Sequence, residues 1–484
     1  MRALCWRPRR RFRAALFTLG LPLLLTACAQ IPPVGEAAAI AVPARWSDGS
    51  IAATRPTTPL ATWWQRFGDP ELSALVDDAL GASPSMQSAL AALNQSRALV
   101  DVAEAGLRPG VQASASAQRS RMAAQPTSNQ FRVGLDASWE PDLSGAARAG
   151  VAAAQFDADA ARMQLADVQV LLAAEVALAW IELGNLQTRV AIAQDNLAAQ
   201  EDTTQIARWR HQAGLVSTLD VERAIAAAEQ TRAQVPLLRT SLAQTRHRLA
   251  VLTGRPPAAL AALGVTAVPL PADDLLMAFP ADTLRQRPDV RQTEAQVQAA
   301  RARVTQAAAA RWPSLTLSGS LGLQALTVSG LTAGGAAVSS LLAGLSLPLL
   351  DGGAIAARAR AQEAALDQAH ASYRSAVLGA LQEVEDGLVA LAGDRARSAS
   401  LQAAATAAAA ADTLARQQYE AGLIDFDTVL QSQRTLLTAQ DSAASARASL
   451  AANHVRLYKA LGGGWLPDVP GPAQAAAPPA DTTR

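Results

Sequence analysis

The chain has 484 residues, of which 50% are hydrophobic, 4% aromatic and 17% charged, with 42 basic against 41 acidic side chains and a formal net charge of +1. That hydrophobicity excludes a disordered chain, and the balanced charge excludes the basic footprint of a nucleic-acid binder. Abundant alanine with few aromatics suits closely packed helices better than a core with deep aromatic pockets, and two cysteines allow at most one disulfide.

Arg7, Arg9, Arg10, Arg11 and Arg13 precede the apolar run Ala14 to Leu25, which ends in Thr26-Ala27-Cys28. A basic start, a short apolar stretch and small residues at its end predict a secretory signal over residues 1–27. The stretch is too short to span a bilayer as a finished helix. Leu25-Thr26-Ala27-Cys28 also resembles the bacterial lipobox, which implies a lipoprotein signal peptide and a mature N-terminus at Cys28 carrying N-acyl and S-diacylglycerol lipid. The alternative is an ordinary signal with an incidental cysteine. Cys5 leaves with the signal, so no disulfide is expected. Ala29 stands where inner-membrane lipoproteins carry Asp, so the resemblance implies passage to the outer membrane. Residues 28–60, rich in Pro, Ala and Thr, read as a lipidated N-terminal tether.

The remainder is written twice. Pro84 and Pro109 lie 204 residues before Pro288 and Pro313. Arg208 with Ala213-Gly214-Leu215-Val216 lies 208 residues before Arg416 with Ala421-Gly422-Leu423-Ile424, so the register changes by four, around the glycine-rich loop at 325–338. The expected organisation is a first repeat over 61–255, a linker over 256–279, a second repeat over 280–464 and a flexible C-terminal tail over 465–484. In each repeat a helix (about 70–107, then 281–310) precedes two short alternating segments, a proline-free helix (about 146–212, then 354–420), a glycine turn and a returning helix. At 1.5 Å per residue the long helices reach ~100 Å. Val377, Leu381, Val384, Leu388 and Leu391 follow the 4-3-4-3 spacing of a coiled coil, and Val176, Trp180 and Leu183 repeat it in the first half. Pro236 predicts a kink or local unwinding in the first returning helix.

The alternating segments predict strands at ~111–121, ~130–140, ~314–324 and ~339–348. Phe131, Val133, Leu135, Ala137 and Trp139 alternate with Gln130, Arg132, Gly134, Asp136 and Ser138, and the other segments follow the same rule with Leu or Ala on one face. Two readings stay open at this point, a soluble half-buried sheet and a transmembrane β-barrel. The second demands oligomers, because four strands cannot close around polar side chains and hydrocarbon tolerates no open sheet edge.

Trp63-Trp64, Phe67-Gly68-Asp69-Pro70-Glu71-Leu72, Leu284 with Arg287-Pro288-Asp289-Val290-Arg291, Trp312-Pro313-Ser314-Leu315, Leu347-Pro348-Leu349-Leu350-Asp351-Gly352-Gly353 and the two Ala-Gly-Leu turns together resemble the bacterial outer membrane factors. With the lipobox, the resemblance falls in the branch of outer-membrane efflux lipoproteins serving resistance-nodulation-division pumps. It implies a mostly α fold with a membrane β-barrel part. Long coiled-coil helices form an α-barrel tunnel, and four transmembrane strands per chain make a 12-stranded barrel in a homotrimer. It further implies a passive exit duct for drugs or other small toxic compounds in the outer membrane of a Gram-negative bacterium, lipid-anchored and extending into the periplasm. The implied partners are a periplasmic adaptor (membrane fusion) protein, an inner-membrane resistance-nodulation-division pump and outer-membrane lipid, with no nucleic acid. Alternatives are a duct for protein secretion, or a lipid-anchored coiled-coil scaffold or adaptor without a pore.

Chemistry is conspicuous only at the turns. His211, His247, His370 and His454 are scattered without ligand-like spacing and read as solvated helix residues; no P-loop, GxSxG or HExxH occurs. No enzyme, no catalytic residue, no metal and no cofactor beyond the Cys28 lipid is expected. By the resemblance, the turns mark the periplasmic end of the tunnel. Gly214, Leu215, Gly422 and Leu423 are then the candidate adaptor-docking positions. Asp220, Glu222, Asp425 and Asp427 are candidate gate residues, since threefold symmetry turns an inward carboxylate into a ring that binds cations. They equally suit the first turn of a helix, where acids complement the dipole. The family's aspartates further along are absent, the matching stretch being Thr428-Val429-Leu430-Gln431. Arg208 and Arg416 either hold a closed gate through interhelical ion pairs or sit at solvent-facing helix ends. Trp139 and Trp312 suit the membrane interface or, alternatively, the packed junction between strands and helices.

Overall fold

Helix occupies the alanine-rich stretches and strand the short alternating ones in the computed structural model, which describes residues 60–121, 127–265, 267–271 and 286–465. The signal, Cys28, the tether up to residue 59, the linker and second-repeat residues 272–285, and the tail from residue 466 lie outside the described residues. A 3-10 turn at Leu60–Phe67 leads into α1 (Pro70–Ala82) and α2 (Pro84–Ala105). Then come β1 (Gly110–Ser120), β2 (Ser128–Trp139), α3 (Ala146–Gln212) and α4 (Thr218–Leu252). After a 3-10 turn at Pro257–Leu260, the order repeats as α5 (Pro288–Ala309), β3 (Ser314–Ala325), a 3-10 turn at Ser329–Thr332, β4 (Ala337–Ser346), α6 (Ala354–Glu420) and α7 (Phe426–Ala460). α2 and α5 have 22 residues each, α3 and α6 have 67, and α4 and α7 have 35.

Two compact units divide the chain. The first, Gln95–Asp159 with Ala295–Ser372, holds the sheet. Its strands run antiparallel in the order β1-β2-β3-β4, so β1 and β4 each keep one unpaired edge among the described residues. Registry sorts most side chains, with Arg119 on the apolar face and Val338 and Leu342 on the polar one as exceptions. Leu135 lies opposite Ala113 and Leu321 on the apolar face, whereas Asp136 lies opposite Gln112 and Ser320 on the polar one. The apolar face is not a core: Val133, Leu135, Leu321, Leu341 and Leu345 are all at least half exposed. Trp139 bonds through Nε1 to the Leu107 carbonyl (3.0 Å), tying the end of β2 to the residues just after α2.

The second unit, Ile40–Asn94, Ala160–Glu294 and Tyr373–Arg484, is helical in its described part. α3 is apolar and long enough to cross a bilayer, but 56% of its most apolar window is buried, the burial expected of a core helix. Val176, Trp180 and Leu183 from α3 share one core with Val377, Val384, Leu388 and Leu391 from α6. Trp63 stacks on Tyr458 with ring centroids 5.1 Å apart. Asp69 serves two structures: Oδ1 caps α1 by accepting from the Glu71 and Leu72 amides, and Oδ2 accepts from Trp180 Nε1 at 2.7 Å. Arg287, in the Arg-Pro-Asp motif, is buried and bonds the Ala460 carbonyl, Asp289 and Glu383, closing the end of α7 onto the start of α5.

Three expectations differ locally. The returning helix does not unwind at Pro236, because Val235 and Leu238 on either side are buried against Leu186 and Ala193. His454 is not solvated but 3% exposed on the packed side of α7. Trp465, placed at the start of the tail, is buried against Ala166 and Val170.

Candidate functional site

The strongest convergence of predicted residues is at the two helix turns of the second unit. α3 ends at Gly214, whose φ of +74° is the left-handed value that lets a helix close without a Cβ clash. The Gly214 amide bonds the His211 carbonyl (2.9 Å) and the Leu215 amide bonds the Arg210 carbonyl (2.8 Å), a Schellman pair. α6 ends the same way: Gly422 has φ +75°, and its amide and that of Leu423 bond the Tyr419 and Gln418 carbonyls. Leu215 and Leu423 project outward, 72% and 75% exposed.

Beneath the turns, Ala207, Val221, Ala224 and Ala227 pack with Tyr419, Phe426, Val429 and Leu430. The two turns, 208 residues apart in sequence, therefore share one small apolar cluster. Val429 and Leu430, of the stretch Thr428-Val429-Leu430-Gln431, belong to this cluster.

Within this frame the predicted acids separate. Asp220 closes a capping box, accepting from the Ser217 amide and hydroxyl while its own amide donates to Ser217 Oγ. Asp425 is the N-cap of α7, accepting from the Thr428 hydroxyl (2.5 Å) and amide (2.9 Å), which hold its carboxyl below the usual aspartate value. Asp427 pairs with Arg223 across the turns at 3.4 Å, and Glu222 is exposed with no partner among the described residues. Of the arginines, Arg416 forms an ion pair inside its own helix with buried Asp412, which also accepts from Ser432 of α7. Arg208 is exposed and makes no bond among the described residues.

The sequence reading missed the residue that does cross. Arg210 donates to the Tyr419 carbonyl (3.1 Å) and the Glu420 carbonyl (3.2 Å), and its guanidinium lies 4.2 Å from the centre of the Tyr419 ring. It thus joins the ends of α3 and α6 and satisfies carbonyls that a helix terminus leaves unpaired. Above it, polar contacts continue between α3 and α7: Thr203 with Gln433, Asn196 with Gln440, and Arg189 with Asp441. Such an arrangement can hold two helix pairs together with charges and hydrogen bonds rather than apolar bulk. Among the described residues no three His, Cys, Asp or Glu side chains gather as a metal site.

Comparison with known proteins follows the same division into halves. The family described as "Outer membrane efflux protein" matches twice, over residues 75–255 and 279–463. The chain is 32% identical over 464 residues to the pyoverdine export outer membrane protein OpmQ of Pseudomonas putida, covering 93% of this chain and 98% of that one. It is 30% identical over 465 residues to the toluene efflux pump outer membrane protein TtgF of Pseudomonas putida, covering 93% and 96%. Among solved structures, the outer-membrane channel OprN matches with a TM-score of 0.82 and 32% identity, over 90% of this chain and all of that one.

Proposed function

Because the chain belongs to the outer membrane efflux protein family, we propose that it is the exit duct of a tripartite efflux system, passing drugs or other small toxic compounds across the periplasm and outer membrane. It is a channel and not an enzyme, so the energy comes from a partner. The observation that carries the duct is the four-stranded sheet with one apolar face, one polar face and two unpaired outer edges. In hydrocarbon those edges must find partners, and four strands are too few to enclose polar side chains. Three copies supply twelve strands, with the apolar faces toward lipid and the polar faces toward water. The double family match and the equal helix lengths of the two halves support a duplicated chain whose helices line a periplasmic tunnel.

The paired turns form the periplasmic end of this duct. Exposed Leu215 and Leu423, beside Gly214 and Gly422, supply apolar tips for a periplasmic adaptor, which links the duct to an inner-membrane resistance-nodulation-division pump. The gate is assigned to the acids and arginines around the turns. Glu222 is freer to meet a cation than Asp220 and Asp425, which cap helices, or Asp427, which pairs with Arg223. Lipid on Cys28 anchors each chain to the outer membrane. Relatives named for pyoverdine and for toluene both match over 93% of this chain, which supports selection of cargo upstream of the duct.

The test is single-channel recording of the purified, acylated protein in planar bilayers. Discrete openings are expected, with cation preference reduced in Asp427→Asn or Glu222→Gln. Loss of the protein should sensitise cells to toxic small molecules. Absence of any conductance would instead favour a scaffold, and unchanged sensitivity with loss of a secreted protein would favour a secretion duct.

A further inference from the structure

β2 carries two charged residues, Arg132 and Asp136, on the polar face of the sheet, and the polar faces of β1, β3 and β4 carry none. We propose that this pair makes a charge-neutral level of the duct, a ring in the barrel wall whose two signs cancel, separate from the acids at the helix turns. The inference rests on the duct reading, since only a closed barrel makes this face the wall of a pore.

The geometry of the pair is unusual for a strand. Residues four apart lie on one face but ~14 Å apart along the chain, too far for two upright side chains to meet. Yet Arg132 Nη2 lies 2.8 Å from Asp136 Oδ1. The arginine must therefore lie flat along β2, across Gly134. That position is bare for a reason: a Cβ there would meet the Leu321 carbonyl oxygen at 2.8 Å, and one on Gly322, directly opposite, would meet the Val133 carbonyl oxygen at 2.5 Å. Two facing glycines thus leave a bed for the guanidinium. Asp136 is held from its other side as well, Oδ2 accepting from Ser114 Oγ of β1 at 2.5 Å.

Stability alone gives little reason for such a pair. Its side chains are 39% and 31% exposed, a range in which an ion pair contributes little to folding. Its consequence is electrostatic. Three copies place three guanidiniums and three carboxylates around the lumen, each sign cancelled by a fixed neighbour. Cargo of either charge then passes this level without a barrier, and sign selection is left to other levels of the duct.

Reversal potentials of the full-length acylated protein in planar bilayers under a potassium chloride gradient test this. Arg132→Gln unmasks three carboxylates and should raise the cation-to-anion permeability ratio by about twofold or more. Asp136→Asn unmasks three guanidiniums and should lower it by a similar factor, while the double variant Arg132→Gln/Asp136→Asn should return to the parent value. Either single variant decides alone if the other does not insert. Open pores whose ratio stays at the parent value in the singles would overturn the neutral ring and leave the duct intact. If the parent protein itself gave no openings, the duct reading would fail and the ring with it.

Discussion

Arg208 and Arg416 occupy equivalent places in the two repeats, and that equivalence singled them out in the sequence. Beside the α3–α7 contacts of Thr203, Asn196 and Arg189, the bridges at the turns themselves are made by Arg210 and by Arg223 with Asp427. At the 208-residue spacing, Arg210 corresponds to Gln418 and Arg223 to Gln431. Arg223 can pair with Asp427 because the repeat is broken at both places, their equivalents being Gln431 and Leu219, whereas Arg210 needs only backbone carbonyls. The signal was present as asymmetry, but asymmetric positions are many and only packing selects among them. Arg210→Ala should remove two hydrogen bonds and a cation–π contact, costing the turn region about 1–3 kcal/mol. Amide hydrogen exchange at residues 419–423 should accelerate by roughly tenfold to a hundredfold, with exchange in the Trp63–Tyr458 core unchanged.

At the scale of elements, the long helices follow from alanine and the absence of proline, and the turns from glycine. Nothing lies within 4 Å of a Cβ built on Gly214 or Gly422, so the need for glycine there is conformational and not steric. Gly214→Ala and Gly422→Ala are each expected to cost about 1–2 kcal/mol, the left-handed penalty. The effect should appear as fraying of α3 or α6 in hydrogen exchange, and as weaker capture of an adaptor if the turns dock one. Gly254 differs. There a Cβ would lie 2.5 Å from the Ala82 carbonyl oxygen, so space as well as φ requires glycine. Pro236 gives the opposite lesson. Propensity favoured a break, but the apolar neighbours on both sides keep α4 helical through the lost hydrogen bond. His454 was legible as a helix residue but not as a buried one, since one histidine in an alanine-rich run does not reveal which face packs.

For the whole molecule, pH reports on a charge cluster assembled from distant segments. Asp167 of α3 sits partly buried near Asp289, Glu383, Arg287 and Lys459. Burial, and then the negative charge of Asp289, raise its pKa above the usual carboxylate value, against the pull of Arg287 and Lys459. A raised carboxyl favours the folded state while it is protonated. That contribution is complete below the unfolded pKa of ~3.9 and is lost as pH rises through the higher folded value. Asp167→Asn should therefore leave thermal stability unchanged near pH 3 and raise it at pH 7. An equal gain at both values would mean that the change acts through packing rather than charge.

The sequence by itself determined the helical fold with its four short strands, the family, and the absence of catalytic motifs. Each of these is carried by local composition, by period or by a motif, and these survive in a linear string. Tertiary structure alone decided the pairing and order of the strands, which charged residues join the halves, that Arg132 lies along β2 to reach Asp136, and that the acids at the turns divide between capping and pairing. Those outcomes depend on distances of a few ångströms between segments up to about two hundred residues apart. Composition fixes which groups exist, and only packing fixes which of them meet.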